Sequence, residues 1–145
     1  MLRTEKNPVN PKELGSFYTP GTIAGILADW VVQIGTERLL EPSVGDGALI
    51  AAASERANAL FGLDHSVRFL ACDINARAIQ AAERKFQAGT EVRVVDFLQL
   101  NPNSTGLFHG VIANPPFTRN HSLPVQRRIA LRNRFATTGA AGLWV

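Results

Sequence analysis

Apolar residues recur at helical spacing through Ile23, Leu27, Trp30, Val31 and Ile34, which predicts an amphipathic helix with this stripe, Trp30 included, in the core. Thr19 is placed as its N-cap and Pro20 at its first helical position, and Gly35 ends it. The spacing then shortens. Arg38–Glu41 reads as a short strand, followed by the loop Pro42-Ser43-Val44-Gly45-Asp46-Gly47 and an alanine-rich helix from about Ala48 to Leu60. The pattern repeats: a strand over Arg68–Asp73, a helix from Asn75 to about Ala88 stopped by Gly89, and a β-branched strand over Glu91–Asp96. A Pro/Asn/Ser/Gly loop, Asn101–Gly106, leads to the apolar run Gly110-Val111-Ile112-Ala113, a fourth strand. Before all this, Pro8 and Pro11 break an aperiodic stretch, so residues 1–13 are expected to form an arm and 14–145 one domain.

Strands alternating with helices imply βαβ units, hence a mainly parallel sheet with right-handed crossovers. Ligands of such sheets bind beyond the carboxyl ends of the strands. The chemically suggestive residues fall at those ends: Glu41–Gly47 after the first strand, Asp73 after the second, Asp96 after the third, and Asn114-Pro115-Pro116-Phe117 after the fourth.

The last of these is the most specific. Two consecutive prolines lack backbone N–H groups and fix φ, so the turn is stiff. Asn114 Oδ1 and the Pro115 carbonyl can each accept one hydrogen of a planar NH₂ group, while Phe117 covers the ring that bears it. An amino group conjugated to a purine is a poor nucleophile, and two acceptors favouring a tetrahedral nitrogen free its lone pair. The same residues also fit a proline-stiffened loop with a capping Asn.

Gly45 and Gly47 permit positive φ and close approach of a ligand to the backbone. The loop lacks the third glycine of a dinucleotide fingerprint, and Glu41 and Asp46 flank it where a pyrophosphate would favour neutral or cationic surroundings. Acidic flanks suit a ligand carrying ammonium or sulfonium charge, which points away from a nicotinamide dinucleotide and towards S-adenosylmethionine. Asp73 can accept both hydroxyls of a ribose, with Ile74 against the base. Asp96 can accept from the adenine amino group while Phe97 stacks. Asp73 or Asn75 also reads as a helix cap, and Asp96 as a turn residue.

Charge sharpens the picture. Residues 1–96 hold ten Lys/Arg and twelve Asp/Glu; beyond Asp96 there is no acid, while Arg119, Arg127, Arg128, Arg132 and Arg134 follow the proline turn. Arg119, Arg127 and Arg128 are candidate phosphate contacts for a polyanion arriving there; a solvated helix face is the alternative. A single Cys72, read as core, excludes an internal disulfide, and no metal-ligand spacing involves it or His65, His109 and His121. No apolar run approaches the roughly 20 residues of a membrane span, and no secretory leader pattern opens the chain, so a cytoplasmic protein without membrane attachment is expected.

Taken together, Gly15-Ser16-Phe17-Tyr18-Thr19-Pro20, Glu41-Pro42-Ser43-Val44-Gly45-Asp46-Gly47, Cys72-Asp73-Ile74-Asn75, Val95-Asp96-Phe97 and Asn114-Pro115-Pro116-Phe117 resemble motifs X, I, II, III and IV. The family is the adenine-N6 DNA methyltransferases of restriction–modification systems, with motif X first as in type I modification subunits and type IIG enzymes. The resemblance runs from about residue 14 to 120. It implies a Rossmann-like, parallel-sheet S-adenosylmethionine-dependent methyltransferase fold. It places Phe17, Tyr18 and Thr19 at the methionine end of the cofactor, Glu41 and Gly45 near its amino group, and Pro42 and Gly47 among the cofactor-binding residues. Asp73 and Ile74 would hold ribose and base, and Asp96 and Phe97 the adenine. Asn114 and Pro115 would grip the target amino group, with Pro116 beside them in the catalytic turn and Phe117 stacked on an adenine flipped out of duplex DNA. Glu41-Pro42-Ser43 stands where Asp-Pro-Ala is commoner, a mild departure. Complete catalytic domains of the family continue with three more strands and a target-recognition region. The expectation is therefore a domain truncated after its fourth strand, with an apolar sheet edge that favours self-association or a partner chain supplying the missing half or the specificity. Alternatives are transfer to an RNA base or a protein glutamine, and a catalytically inactive module that binds cofactor or a partner.

Overall fold

A computed structural model describes residues 18–118, 124–135 and 143–144. They fall into two units, one of Tyr18–Asn114 and one containing the residues from Pro115 onward. In the first, helix α1 (Gly21–Val31) is followed by β1 (Arg38–Glu41), α2 (Ala48–Phe61), β2 (Arg68–Asp73), α3 (Ala76–Ala82), β3 (Thr90–Val94), α4 (Pro102–Thr105) and β4 (Gly110–Val111). The four strands form one parallel sheet in the order β3-β2-β1-β4, with Leu39 opposite both Phe69 and Gly110, and Ala71 opposite Val92. This is the expected Rossmann-like arrangement, and β1 and β2 begin and end where the sequence pattern puts them. Phe69 to Cys72 are all buried, as a central parallel strand covered on both faces requires.

The core is built on small residues. Ala24 and Ala28 of α1 and Ala53 and Ala57 of α2 are buried, and with no long side chains between them the two helices lie close together over the sheet. Gly110 serves the same purpose on β4. A Cβ there would stand 2.6 Å from a Val31 methyl and 3.3 Å from Leu39 Cδ2, so glycine is what lets the end of α1 rest on the strand. After α1 the chain turns through Gly35, and buried Glu37 accepts hydrogen bonds from the Gln33 and Ile34 backbone N–H groups.

Several local expectations are corrected. Pro20, not Thr19, occupies the N-cap position of α1, without a side-chain cap, and the helix ends at Val31, ahead of Gly35. The buried stripe of α1 is Ala24 and Ala28 with Leu27 and Val31 beside it, while Ile23, Ile34 and Trp30 are exposed, Trp30 to 81%. The physical reason is geometric: α1 turns its small residues to α2 and its bulky row outward over the flank of β4 that pairs with no other described strand. There Trp30, Val31, Ile34, Glu37, His109 and Val111 border an open groove of about 630 Å³. The helix after Asn75 stops at Ala82 and tightens into a 3-10 turn over Glu83–Lys85. The loop before β4 contains a helical turn, α4, capped by Asn101. Cys72 lies in the core as expected, and burial pushes its thiol pKa up to about 11.

The second unit contains β5 (Phe117–Thr118), α5 (Val125–Phe135) and β6 (Leu143–Trp144). β5 and β6 pair antiparallel, Phe117 opposite Trp144. Among the described residues no helix is long and apolar enough to cross a membrane.

Candidate cofactor and amino-group site

The carboxyl ends of β1, β2 and β3 carry a continuous set of hydrogen bonds. The loop after β1 is stitched to the end of β2: Val44 N–H donates to the Cys72 carbonyl (2.8 Å), and Gly45 N–H donates to Asp73 Oδ2 (2.9 Å). The other oxygen of Asp73 accepts from Asn75 N–H (2.8 Å), and Asn75 in turn caps α3 by accepting from Arg77 N–H. So the cap is Asn75, and Asp73 is the hub that fixes the glycine loop against the second strand. Ile74 beside it is exposed. Val95 N–H donates to the Asp73 carbonyl, and Asp96 caps the 3-10 turn Phe97–Gln99 by accepting from Leu98 N–H (3.1 Å). Asp96 and Phe97 are half-buried.

Gly47 has a structural task. Its φ is +77°, and a Cβ would lie 3.0 Å from the Ala82 Cβ and 3.4 Å from the Phe86 ring. The glycine therefore opens α2 in a left-handed conformation while α3 packs directly on it.

Three carboxyl groups surround this loop. Glu41 is 1% exposed, accepts from the Ile50 N–H in the first turn of α2, and its Oε2 has no partner. Burial, reinforced by the negative charges of Asp46 and Asp73, raises its pKa well above the usual carboxylate value. Asp46 accepts from Ala48 N–H and pairs with Lys85 Nζ at 3.2 Å. Lys85 had no local sequence signal, since it lies 39 residues from its partner. Pro42 is buried and Ser43 half-buried, with its hydroxyl oxygen enclosed and unpartnered.

β4 lies next to β1, and its pairing continues past the strand through Ile112 N–H to the Leu40 carbonyl (3.0 Å). This holds Asn114 at the carboxyl end of the sheet, where its Nδ2 donates to Thr19 Oγ1 at 3.1 Å. Two segments 95 residues apart thus meet beside the loop-bearing strand. Tyr18 is exposed, Thr19 half-buried.

In the second unit Pro115 and Pro116 are half-buried and lead into β5. Phe17 and Arg119 lie outside the described residues. Arg127 belongs to α5, and Arg128, on the same helix, is half-buried. Among the described residues no group of His, Cys, Asp and Glu is placed to hold a metal ion.

Residues 4–142 match the N-6 DNA Methylase family. A tRNA1(Val) (adenine(37)-N6)-methyltransferase from Enterobacter sp. (strain 638) is 28% identical over 97 residues, 67% of this chain and 39% of that protein. The Type II methyltransferase M.BanIII of Aneurinibacillus aneurinilyticus is 26% identical over a 168-position alignment covering 99% of this chain and 29% of the relative. The chain therefore spans well under half the length of these relatives. A class I S-adenosylmethionine-dependent methyltransferase from Listeria monocytogenes superposes with a TM-score of 0.64 at 17% identity, over 94% of this chain and 42% of the other.

The residues present suit that cofactor: an orphaned buried carboxyl, a glycine loop fastened to Asp73, and Ile74 exposed beside it. The family match and the fold together identify the chain as a member of the N-6 DNA methylase family, whose cofactor is S-adenosylmethionine.

Proposed function

We propose that this chain carries the cofactor-binding and amino-receiving parts of an enzyme that methylates the N6 amino group of adenine in DNA. The observation that carries the reading is the placement of Asn114 at the end of β4, directly beside the β1 strand that bears the glycine loop. Receiver and cradle are neighbours, so an amino group held at one lies within reach of a methyl donor at the other.

Glu41, Pro42, Gly45 and Gly47 form the loop under the cationic end of the cofactor, with Phe17, Tyr18 and Thr19 lining its methionine. Asp73 accepts from the ribose hydroxyls with lone pairs beyond those given to Gly45 and Asn75. Ile74, Asp96 and Phe97 enclose the adenine. When bound, S-adenosylmethionine supplies an electrophilic methyl group on a sulfonium centre. Asn114 Oδ1 and the Pro115 carbonyl accept the two amino hydrogens of the target, Pro116 stiffens the turn, and Phe117 stacks on the flipped base. Holding those hydrogens directs the nitrogen lone pair at the methyl carbon, and the surplus proton leaves to solvent after transfer. Arg119, Arg127 and Arg128 meet phosphates in a segment without acidic residues. The alignment of the Type II methyltransferase with 99% of the chain, against 67% for the tRNA enzyme, supports the DNA reading.

The test is transfer of labelled methyl from S-adenosylmethionine to duplex DNA, a tRNA transcript and a glutamine-bearing peptide, with wild type and Asn114→Ala. The proposal expects label at adenine N6 in DNA, lost by orders of magnitude in the variant while cofactor affinity is retained. Label in RNA or peptide alone would overturn the DNA assignment. A folded chain that binds cofactor and labels none of the three would be a binding module.

A further inference from the structure

A glycine loop after a first strand, together with the first turn of the helix that follows, is where a nucleotide's phosphates find N–H donors. In this chain those donors are already given to the protein. Val44 N–H donates to the Cys72 carbonyl and Gly47 N–H to the Val44 carbonyl, both at 2.8 Å. Three more go to carboxyl groups from three places in the chain. Gly45 N–H donates to Asp73 at the end of β2 (2.9 Å), and Ala48 N–H to Asp46 in the loop itself (3.2 Å). Ile50 N–H, in the first turn of α2, donates to Glu41 at the end of β1. Glu41 is 1% exposed and keeps its second oxygen without a partner, so this acidic lining is enclosed rather than a solvated surface cluster. A cation is committed as well. Lys85 Nζ reaches from the 3-10 turn after α3 to Asp46 Oδ2 at 3.2 Å.

An adenine nucleotide and S-adenosylmethionine share their adenosine half and differ beyond the ribose. One continues as a polyanionic phosphate chain, the other as a sulfonium and an ammonium with a single carboxylate. Phosphates at this loop would have to displace carboxyl groups from the α2 amides or lie against their oxygens, acceptor facing acceptor. The positive end of the helix, which elsewhere attracts an anion ligand, is here matched by the chain's own acids. We propose that Asp46 is a specificity-determining residue: seated on Ala48 N–H and held by Lys85, its carboxylate closes the N-terminus of α2 to phosphate and bars phosphate-bearing adenine nucleotides from the cofactor cradle. Glu41 on Ile50 and Asp73 on Gly45 complete the closure. Asp46 is the member that can be removed alone, because it is half-buried on the loop, whereas Glu41 is enclosed and Asp73 ties two strand ends together. The inference rests on this loop being the cofactor cradle and involves no methyl acceptor.

The experiment titrates adenosine and ADP against wild type and Asp46→Ala, by displacement of labelled S-adenosylmethionine in the presence of EDTA. The chelator removes metal ions that would neutralise the diphosphate. Adenosine is the internal reference, so general damage to the adenosine pocket cancels in the ratio of the two dissociation constants. Wild type is expected to bind ADP at least about tenfold more weakly than adenosine. Asp46→Ala releases Ala48 N–H and the Lys85 ammonium at one place, so ADP should improve relative to adenosine by about tenfold, the worth of one hydrogen bond to a charged group. That gain should fade as salt is raised from about 0.05 to 0.5 M. Wild-type affinity for ADP equal to or above that for adenosine would overturn the proposal, and this comparison stands whether or not the variant folds. A folded Asp46→Ala in which both ligands change in step would also overturn it, leaving Asp46 a brace of the loop and nothing more. A folded wild type that fails to bind labelled S-adenosylmethionine refutes the cradle itself, and the proposal with it, a result read before any nucleotide is added.

Discussion

Glu41 offers a prediction that needs no DNA. The carboxyl is enclosed between β1 and the first turn of α2, receives one hydrogen bond from Ile50 N–H, and leaves Oε2 unsatisfied. Ionising it there sets desolvation against that single bond, and the nearby charges of Asp46 and Asp73 add repulsion. Its pKa is accordingly raised, so the empty native state holds a proton that the unfolded chain releases above the usual value of 4.5. The sign follows from proton counting. Between 4.5 and the raised value the folded state binds more protons than the unfolded one, so stability falls as pH rises, by about 1.4 kcal/mol per pH unit.

Glu41→Gln keeps the shape and removes the titration. Urea unfolding of both proteins at pH 5, 6 and 7 should show the variant gaining on wild type by about 1.4 kcal/mol for each unit inside that window, or roughly 4 °C in Tm for a chain of this size. A bound cation reverses the balance. Two unit charges about 6 Å apart at an effective dielectric of 20 attract by roughly 3 kcal/mol, enough to lower the pKa of Glu41 by about two units. Affinity for S-adenosylmethionine should therefore rise with pH between 5 and 7, at most tenfold per unit, below the range near 8 where the ligand's own amino group titrates. The dependence should vanish in Glu41→Gln. Stability curves of variant and wild type that run parallel across this range would refute the reasoning, because Glu41 would then be ionised in the empty site.

Three further outcomes follow from the same loop and strand. Gly47→Ala should destabilise by about 2–3 kcal/mol, combining the left-handed backbone with a Cβ 3.0 Å from Ala82; denaturant unfolding checks it, and an unchanged midpoint would contradict the close packing of α3. Asp73→Ala leaves Gly45 N–H and Asn75 N–H without their acceptor, so about 2 kcal/mol of stability and at least tenfold in cofactor affinity should be lost, with calorimetry separating the two. Cys72, fully buried with its thiol pushed up to about 11, should resist iodoacetamide at pH 8 in the native chain and react once urea unfolds it; rapid native labelling would show that β2 opens locally.

The elements legible in the sequence are those where local pattern and tertiary demand agree. β1 and β2 are buried strands in a parallel sheet, and β-branched or apolar runs between polar ends mark them cleanly. α1 is where the reading failed, and the failure is physical. A periodic stripe tells which residues share a face, but not which face has a partner. The row from Ile23 to Ile34 is large and regular, yet the helix buries its alanines, because small residues let α1 and α2 approach and because the sheet, as described, stops at β4. Hydrophobicity ranks Trp30 above Ala28; packing geometry reverses the order.

The site shows the same division on a finer scale. Spacing along the chain puts Asp73 and the glycine loop at adjacent strand ends, so their proximity was readable. What the sequence could not show is that Asp73 spends both oxygens on the protein itself, one on Gly45 and one on Asn75. Its carboxylate builds the loop before any ligand arrives, so its loss should harm architecture and binding together. Asn114 differs. Its Nδ2 donates to a hydroxyl in a segment 95 residues away, and no local pattern announces that a threonine before a helix serves a strand end rather than the helix. Substituting Asn114 should leave the sheet intact and remove only the chemistry. The contrast between Asp73, where stability and affinity fall together, and Asn114, where turnover alone falls, separates a site built by the fold from a residue the fold only presents.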